Sequence, residues 1–319
     1  MQEKIIDFLK KADGFISGED ISGALNISRA AIWKYIQELK KEGYEIVAVP
    51  HLGYRLESSP DKLFPHEIQF GLSTKVVGKK IVAYDSLDST MDIAFDLGMH
   101  NAPEGTVVLA EGQSRGRGRL GRNWSSPKGK GIYLSIILRP LSSPSEVSRL
   151  TLLTAVAVSE AIKQVTGVSA LIKWPNDLLV DDKKIAGILT ELNAEVDRVK
   201  FVVIGIGINV NTRPDALPEG ATSLRGILQG PVSRVELTKE ILRQVERRYG
   251  ELNKHGFAAI AQCWKGLSVT LNKRIKITDP GGMIEGVAVD IDKDGGLLIR
   301  KDSGVVVKKT AGDVVRVKS

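Results

Sequence analysis

Apolar side chains recur at helical spacing from the first residues: Ile5, Ile6, Phe8 and Leu9 share a face ahead of Gly14 and predict a short helix. Ser17, with Asp20 three positions on, marks the start of a second helix around Ile21 and Leu25. Ser28 is then the expected N-cap of a longer third helix, "RAAIWKYIQELKKEG", which Gly43 stops. Within it Ile32, Ile36 and Leu39 fall on one face, whereas Arg29, Trp33, Lys34, Gln37 and Lys40 lie largely on others. "YEIVAVPHLGYRL" alternates into two short strands about a turn from Pro50 to Gly53, and a hairpin behind a helix-turn-helix makes a winged helix over residues 1–60. One helix face is left to meet a partner. DNA would be contacted by Arg29, Ala30, Lys34, Lys40 and Arg55; the alternative is a small protein-interaction domain.

The polar, proline-containing stretch "ESSPDKLFP" reads as a linker. Strand-like runs follow ("KKIVAY", "GTVVLAE", "IYLSIIL", "ALIKW", "KIAGILTEL", "FVVIGIGINV"), interrupted by two long helical stretches. The first is expected to be capped by Ser145 and stopped by Gly167; the second, from about Ser233 to Asn253, buries Val235, Leu237, Ile241, Leu242 and Val245. Many strands with few long helices favour an α+β sheet layer over a doubly wound nucleotide fold. From about Leu267 short β-rich pieces separated by Gly and Asp predict a small SH3-like barrel. The expected organisation is three domains, residues 1–60, 65–266 and 267–319.

Composition narrows this picture. A chain of 319 residues, 42% hydrophobic and 26% charged, is long enough for several cores. Cys263 is the only cysteine, which excludes an intrachain disulfide, and the N-terminal residues carry no apolar signal core, so the cytoplasm is the expected compartment. The longest apolar run, "FVVIGIGINV", falls well short of the roughly 20 residues a membrane span requires. The formal charge of +7 is unevenly spread: residues 1–60 carry −1, residues 61–269 carry +5 and residues 270–319 carry +3. The segment that looks like a DNA reader is therefore the least basic.

Much of the positive charge sits in "EGQSRGRGRLGRNWSSPKGKG", from Glu111 to Gly131. Glycines let main-chain N–H groups approach an anion closely, and arginine adds planar, bidentate recognition of carboxylate or phosphate. An RG-rich nucleic-acid arm or a basic linker are the other readings, but this stretch is bracketed by strands, which favours an anion clamp. In "KWPNDLLVDDKKIAGI", Lys173 and Asp177 fall at the edge of a strand pair and Lys184 begins the next strand, a plausible phosphate and metal site; a solvated hairpin turn is the plain alternative for "DDKK". "GIGINVN" ends a strand with Gly205 and Gly207, where a ligand can approach the backbone, and with the amides Asn209 and Asn211. It lacks the spacing of a dinucleotide fingerprint.

Winged helix, "DST", "GQSRGRGRLGRNW", "KWPNDLLVDDKKIAGILTE", "GIGINVN" and a C-terminal barrel, in that order and over essentially the whole chain, resemble the bacterial bifunctional biotin protein ligases that also act as biotin operon repressors. The resemblance implies a central mixed-sheet α/β domain of the class II synthetase-like kind. It implies ATP, Mg2+ and biotin as reactants, biotinyl-5′-AMP as intermediate, and the biotin carboxyl carrier protein of acetyl-CoA carboxylase as acceptor. It also implies a homodimer formed on binding biotinyl-AMP, and operator DNA as a partner, with no membrane.

By the same resemblance Ser89, Thr90, Met91, Gln113, Gly187, Gly205 and Gly207 contact biotin, while Arg117, Gly118 and Arg119 close over its carboxylate and the α-phosphate. Lys184 neutralises both groups. Arg119, Arg122, Trp124, Asn176, Lys184 and Asn209 would serve ATP and the adenylate, Trp124 covering the adenine. Lys173 and Asp177 are assigned to catalysis, with Asp177 as the Mg2+ ligand. Met91, where Asn is common, and Arg115, where a small residue is usual, depart from the pattern. The polar segment from Asn211 to Arg234 is expected to be a mobile lid over ATP. Cys263 reads as a buried apolar residue. Two other functions stay open: a lipoate-type ligase, and a ligand-sensing repressor without catalysis.

Overall fold

The computed structural model describes residues 1–317 except 142, 197, 280 and 281. It divides into two compact units, Met1–Lys62 and Leu63–Ser319. In the first, α1 (Gln2–Lys11), α2 (Gly18–Leu25) and α3 (Arg29–Glu42) precede a hairpin of β1 (Glu45–Val49) and β2 (Gly53–Ser58). Both expected caps form: Ser17 Oγ accepts from Asp20 N at 3.0 Å and Ser28 Oγ from Ala31 N at 3.2 Å. Gly43, at φ +108°, ends α3 in the left-handed region. Ile5, Ile6, Leu9, Ile21, Ile32, Ile36 and Leu39 make the core. Ile16 and Tyr54 exchange backbone hydrogen bonds of 2.9 Å, and Gly53 permits this approach, since a Cβ there would lie 2.0 Å from Ile16 O.

The second unit opens with α4 (Pro65–Gln69), β3 (Ile81–Tyr84), α5 (Thr90–Met99), β4 (Val107–Ala110) and β5 (Gly131–Leu138). It continues with α6 (Val147–Thr166), β6 (Leu171–Lys173), β7 (Asp177–Val180), β8 (Lys183–Glu195) and β9 (Arg198–Asn209), then α7 (Leu224–Leu228), α8 (Arg234–His255) and α9 (Ala258–Leu267). Its seven strands run in the order β3-β4-β5-β9-β8-β7-β6, with only β3 and β4 parallel. The mixed sheet excludes a doubly wound fold, as expected. Alternate residues of β9 serve opposite faces: Val202 and Ile204 join α6 and α8 in the main core, while Phe201 and Val203 pack with Met91 and Ala94 of α5.

Gly167, at φ +76°, stops α6, and Ser233 Oγ caps α8 by accepting from Glu236 N at 3.2 Å. The start of α6 differs from expectation. A capping box joins Ser143 and Glu146 around a short 3₁₀ turn, so the N-terminal signal lies two residues before Ser145. The helix α9 was not anticipated; it buries fully only Ile260 and Trp264, too sparse a stripe to read as periodic.

The strands β10 (Arg274–Asp279), β11 (Gly282–Ile291), β12 (Leu297–Arg300), β13 (Val306–Lys309) and β14 (Asp313–Arg316) form an antiparallel sheet in the order β13-β12-β11-β10-β14, the last strand beside the first as an SH3-like topology requires. Ile275, Ile277, Leu297 and Ile299 belong to the same core as α6 and α8. Trp174 fastens the two sheets: its Nε1 donates to Gly295 O at 3.1 Å and its N to Thr270 Oγ1 at 3.0 Å. Cys263 is partly buried against this core rather than fully enclosed. Among the described residues no helix is long and apolar enough to cross a membrane.

Candidate active site

Glycines in β8 and β9 open the face of the sheet. Gly187 and Gly207 sit opposite one another across the strand pair, and the indole of Trp124 lies over both: a Cβ on Gly207 would come within 2.6 Å of the ring and one on Gly187 within 3.1 Å. Gly205 is covered by Met91 in the same manner, with Sδ 2.5 Å from a hypothetical Cβ. Met91 thus fills volume over the sheet, 3% exposed, where a polar amide would have offered a hydrogen bond. All three glycines, Met91 and Trp124 line one cavity of about 150 Å³.

The start of α5 forms its polar wall. Gln113 Oε1 accepts from Thr90 N at 2.8 Å and from Thr90 Oγ1 at 3.1 Å, Ser135 Oγ donates to Thr90 Oγ1 at 2.9 Å, and Gln113 Nε2 donates to Ser126 Oγ at 2.9 Å. Gln113 therefore holds the wall in place as well as lining the cavity. Ser135 and Ser126 were missed by sequence reading, although a lone serine inside the apolar run "IYLSIIL" was a signal. Ser89 Oγ and Trp124 Nε1 are buried without a hydrogen-bond partner. Buried polar atoms are costly unless bonded, so this pair on one cavity points to a polar ligand.

The basic stretch folds back on itself between Gly116 and Trp124. Trp124 N donates to Gly116 O at 2.8 Å and Gly118 N to Arg122 O at 2.7 Å, while Leu120 and Gly121 turn the tip with φ of 55° and 72°. Three of its arginines line the cavity, and each already has a protein partner. Arg117 lies 2.8 Å from Asp92 and 3.1 Å from Glu191; Arg119 Nη1 donates to Asn176 Oδ1 at 3.2 Å and Gly312 O at 3.3 Å; Arg122 is paired with Asp313. Burial draws the Arg119 guanidinium below its ordinary pKa, against the opposing pull of Asp313 and Asp177. Arg115 stands apart, its side chain 81% exposed and 3.9 Å from Asp88.

Lys184 completes the cationic side, with Nζ 2.6 Å from Asp177 Oδ1 and 5.3 Å from the centroid of the Trp124 ring. Asn176 is fixed by donating from Nδ2 to Ile188 O at 2.9 Å. Ser89, Thr90, Gln113, Gly118, Asn176, Asp177 and Lys184 all line the same cavity, as do Tyr133 and Asp313, which the sequence did not suggest. Asp313 comes from β14, and nothing in "TAGDVV" signals a return to a site almost 200 residues away.

Two expected residues stand outside the cavity wall. Lys173 pairs in register with Asp177, yet it lines an outer groove together with Arg119, Arg122, Asp177 and Asp313. Asn209 directs its amide to Thr222 O at 3.1 Å, so it braces the segment expected to be a lid. That segment is itself well anchored. Asn211 exchanges hydrogen bonds of 2.8 and 2.9 Å with Val232, and Lys184 N and O bond Gly220 and Thr222 at 2.8 Å each.

The donor set also bears on the metal. Among the described residues no three His, Cys, Asp or Glu side chains gather into a metal cluster, while Asp177 and Asp313 present carboxylates to the cavity. One or two carboxylates fit Mg2+ delivered on a polyphosphate, which supplies the other oxygens.

In the winged helix, Ala30, Lys34 and Lys40 are exposed on α3. Arg29 pairs with Glu19 at 2.5 Å; Arg55 pairs with Glu57 at 2.5 Å and lies 4.7 Å over the ring of Phe15.

Three family models match the chain: an HTH domain over residues 1–55, the Biotin/lipoate A/B protein ligase family over residues 83–209, and the Biotin protein ligase C terminal domain over residues 270–317. The chain is 43% identical over 304 residues to the Bifunctional ligase/repressor BirA of Bacillus subtilis (strain 168), covering 94% of each chain. It is 31% identical to the protein of that name from Escherichia coli (strain K12), covering 93% of this chain and 91% of the other. Among solved structures it is similar to the biotin protein ligase from Aquifex aeolicus in complex with biotin and ATP, with a TM-score of 0.65 and 30% identity, covering 76% of this chain and all of that one.

Proposed function

The chain belongs to the family of bifunctional biotin ligase/repressors, and we propose that it activates biotin with Mg-ATP to biotinyl-5′-AMP and passes the biotinyl group to a lysine of a biotin carboxyl carrier protein. The observation that carries this reading is the convergence of Arg117, Arg119, Arg122 and Lys184 on one cavity with two unpartnered polar atoms, Ser89 Oγ and Trp124 Nε1.

Both reactants of the first step are anions. A carboxylate oxygen of biotin attacks the α-phosphorus, the bond to pyrophosphate breaks, and the chief requirement on the protein is to hold two negative groups together. Lys184 and Arg119 offset that charge. Their present partners, Asp177 and Asn176, keep them aimed into the cavity until an incoming carboxylate or phosphate takes over. The pairs of Arg117 and Arg122 are exposed and so inexpensive to exchange. Ser89, Thr90 and the Gln113 network suit the polar ring of biotin, and Trp124, expected over the adenine, lies over Gly187 and Gly207 of the expected biotin site and gives the apolar part of biotin a flat surface. Asp177 would hold Mg2+, which would supply screening of the phosphate charge. In the second step the acceptor amine attacks the carbonyl carbon, loses a proton, and AMP leaves with the bonding electrons. The acceptor lysine thus gains an amide bond to biotin.

The same chain would repress transcription through its winged helix, as a homodimer favoured by bound biotinyl-AMP. Linkage then requires that dimerisation tighten the hold on the intermediate. Incubation with biotin, ATP, Mg2+ and a carrier domain is expected to raise the acceptor mass by one biotinyl group. A gain with lipoate in place of biotin, or none with either, overturns the reading.

A further inference from the structure

The core face of α3 is fully committed: Ile32, Ile36 and Leu39 are completely buried. On the other side of the helix Trp33 is 60% exposed, the largest apolar side chain that the winged helix shows to solvent. At 100° per residue Lys40 falls about 20° from Trp33, Gln37 about 40°, Ala30 about 60° and Lys41 about 80°, while Lys34 borders the arc at about 100°. Lys34, Lys40 and Lys41 are exposed. Of the acids on α3, the one nearest this arc is Glu38, which accepts from Gln2 Nε2 at 3.0 Å. The face is therefore a flat aromatic surface ringed by lysines, a combination complementary to an anionic partner with apolar features.

We propose that Trp33 is the sequence-reading anchor of this unit, its ring packing against thymine methyls and deoxyribose edges in the major groove. The proposal rests on the repressor reading above. Trp33 lies in the N-terminal half of α3, the part of a recognition helix that reaches base edges. Its indole offers apolar surface and a single N–H donor, which discriminate between bases, whereas the lysines meet phosphates that are the same in every sequence. Selectivity accordingly falls to Trp33 and Gln37, and sequence-independent attraction to the lysines.

The test uses the full chain with biotin and Mg-ATP and a duplex that the unaltered protein selects from a randomised pool, compared with a scrambled duplex. Trp33→Ala is expected to weaken binding to the selected duplex about tenfold or more, with scrambled-duplex binding and the salt dependence of both unchanged, because no phosphate contact is lost. Trp33→Phe is expected to retain part of the preference. Lys34→Ala is expected to weaken both duplexes and flatten the salt dependence. The proposal is overturned if Trp33→Ala keeps the full preference, if it weakens both duplexes equally, or if sedimentation shows that it acts by preventing self-association. An unaltered chain that selects no sequence removes the DNA reading itself, a result distinct from any of these.

Discussion

Lys184 Nζ lies 2.6 Å from Asp177 Oδ1, so the lysine on β8 and the carboxylate on β7 neutralise one another at the cavity wall. The pair sets the charge of the site before any anion enters, and Arg119 stands beside it on Asn176. Lys184→Ala and Arg119→Ala are each expected to weaken retention of biotinyl-AMP by about 1.5–3 kcal/mol, the scale for hydrogen bonds to charged groups. The check is release of pre-formed biotinyl-AMP followed over time, together with turnover on the carrier domain. Release and turnover unchanged in both variants would place the cationic side of the site elsewhere.

Most of the fold was legible because each unit of it is marked locally. Ser17, Ser28, Ser233, Gly43 and Gly167 all punctuate helices where the sequence places them. The cavity was legible because its glycines and arginines lie in dense runs. What escaped was either sparse or distant. The helix α9 buries few residues, Ser135 is a single hydroxyl in an apolar strand, and Asp313 reaches Arg122 only through the docking of a second sheet. Lys173 and Asn209 share a sheet face with Asp177 and Gly207, yet Lys173 lines the outer groove and the Asn209 amide is taken by Thr222 O, contacts that no local run of sequence announces.

Gly207 is required by the ring above it. A methyl group there would lie within 2.6 Å of Trp124, an aromatic body held over the sheet and unable to yield as a flexible chain end does. Gly207→Ala is expected to displace Trp124 and lower the affinity for biotin about tenfold or more, the overpacking cost being about 1–3 kcal/mol. Titration calorimetry with biotin alone measures it. Unaltered affinity would mean that Trp124 is free to lift away at little cost.

Arg234 is 2% exposed and its Nη1 lies 2.7 Å from Glu111 Oε2, while Glu111 Oε1 accepts from Leu63 N at 2.7 Å. This buried pair sits at the root of the arginine-rich stretch, where Gly129 N bonds Glu111 O at 2.9 Å. Arg234→Ala strands a carboxylate and is expected to cost about 3–5 kcal/mol of stability, read as a lower urea midpoint. Removing both charges, as Glu111→Gln with Arg234→Met, is expected to recover about half of that loss. Absence of any recovery would show that the two side chains are not energetically coupled.

The same carboxylate decides where the chain can be cut. Leu63 is 3% exposed, and its N–H bonds Glu111, so a protein that starts at Lys62 keeps the strut at the base of the site while losing the whole winged helix. That protein is expected to biotinylate the carrier domain at a rate close to that of the full chain and to show no sequence-selective DNA binding. A protein that starts at Ile68 loses both Leu63 and the hydrogen bond to Glu111, and is expected to unfold at lower urea and to turn over more slowly. Acceptor mass and duplex mobility shifts read the two activities separately. Sequence-selective DNA binding by the Lys62 protein would assign operator recognition to the second unit. Loss of ligation in it would instead show that the winged helix supports catalysis.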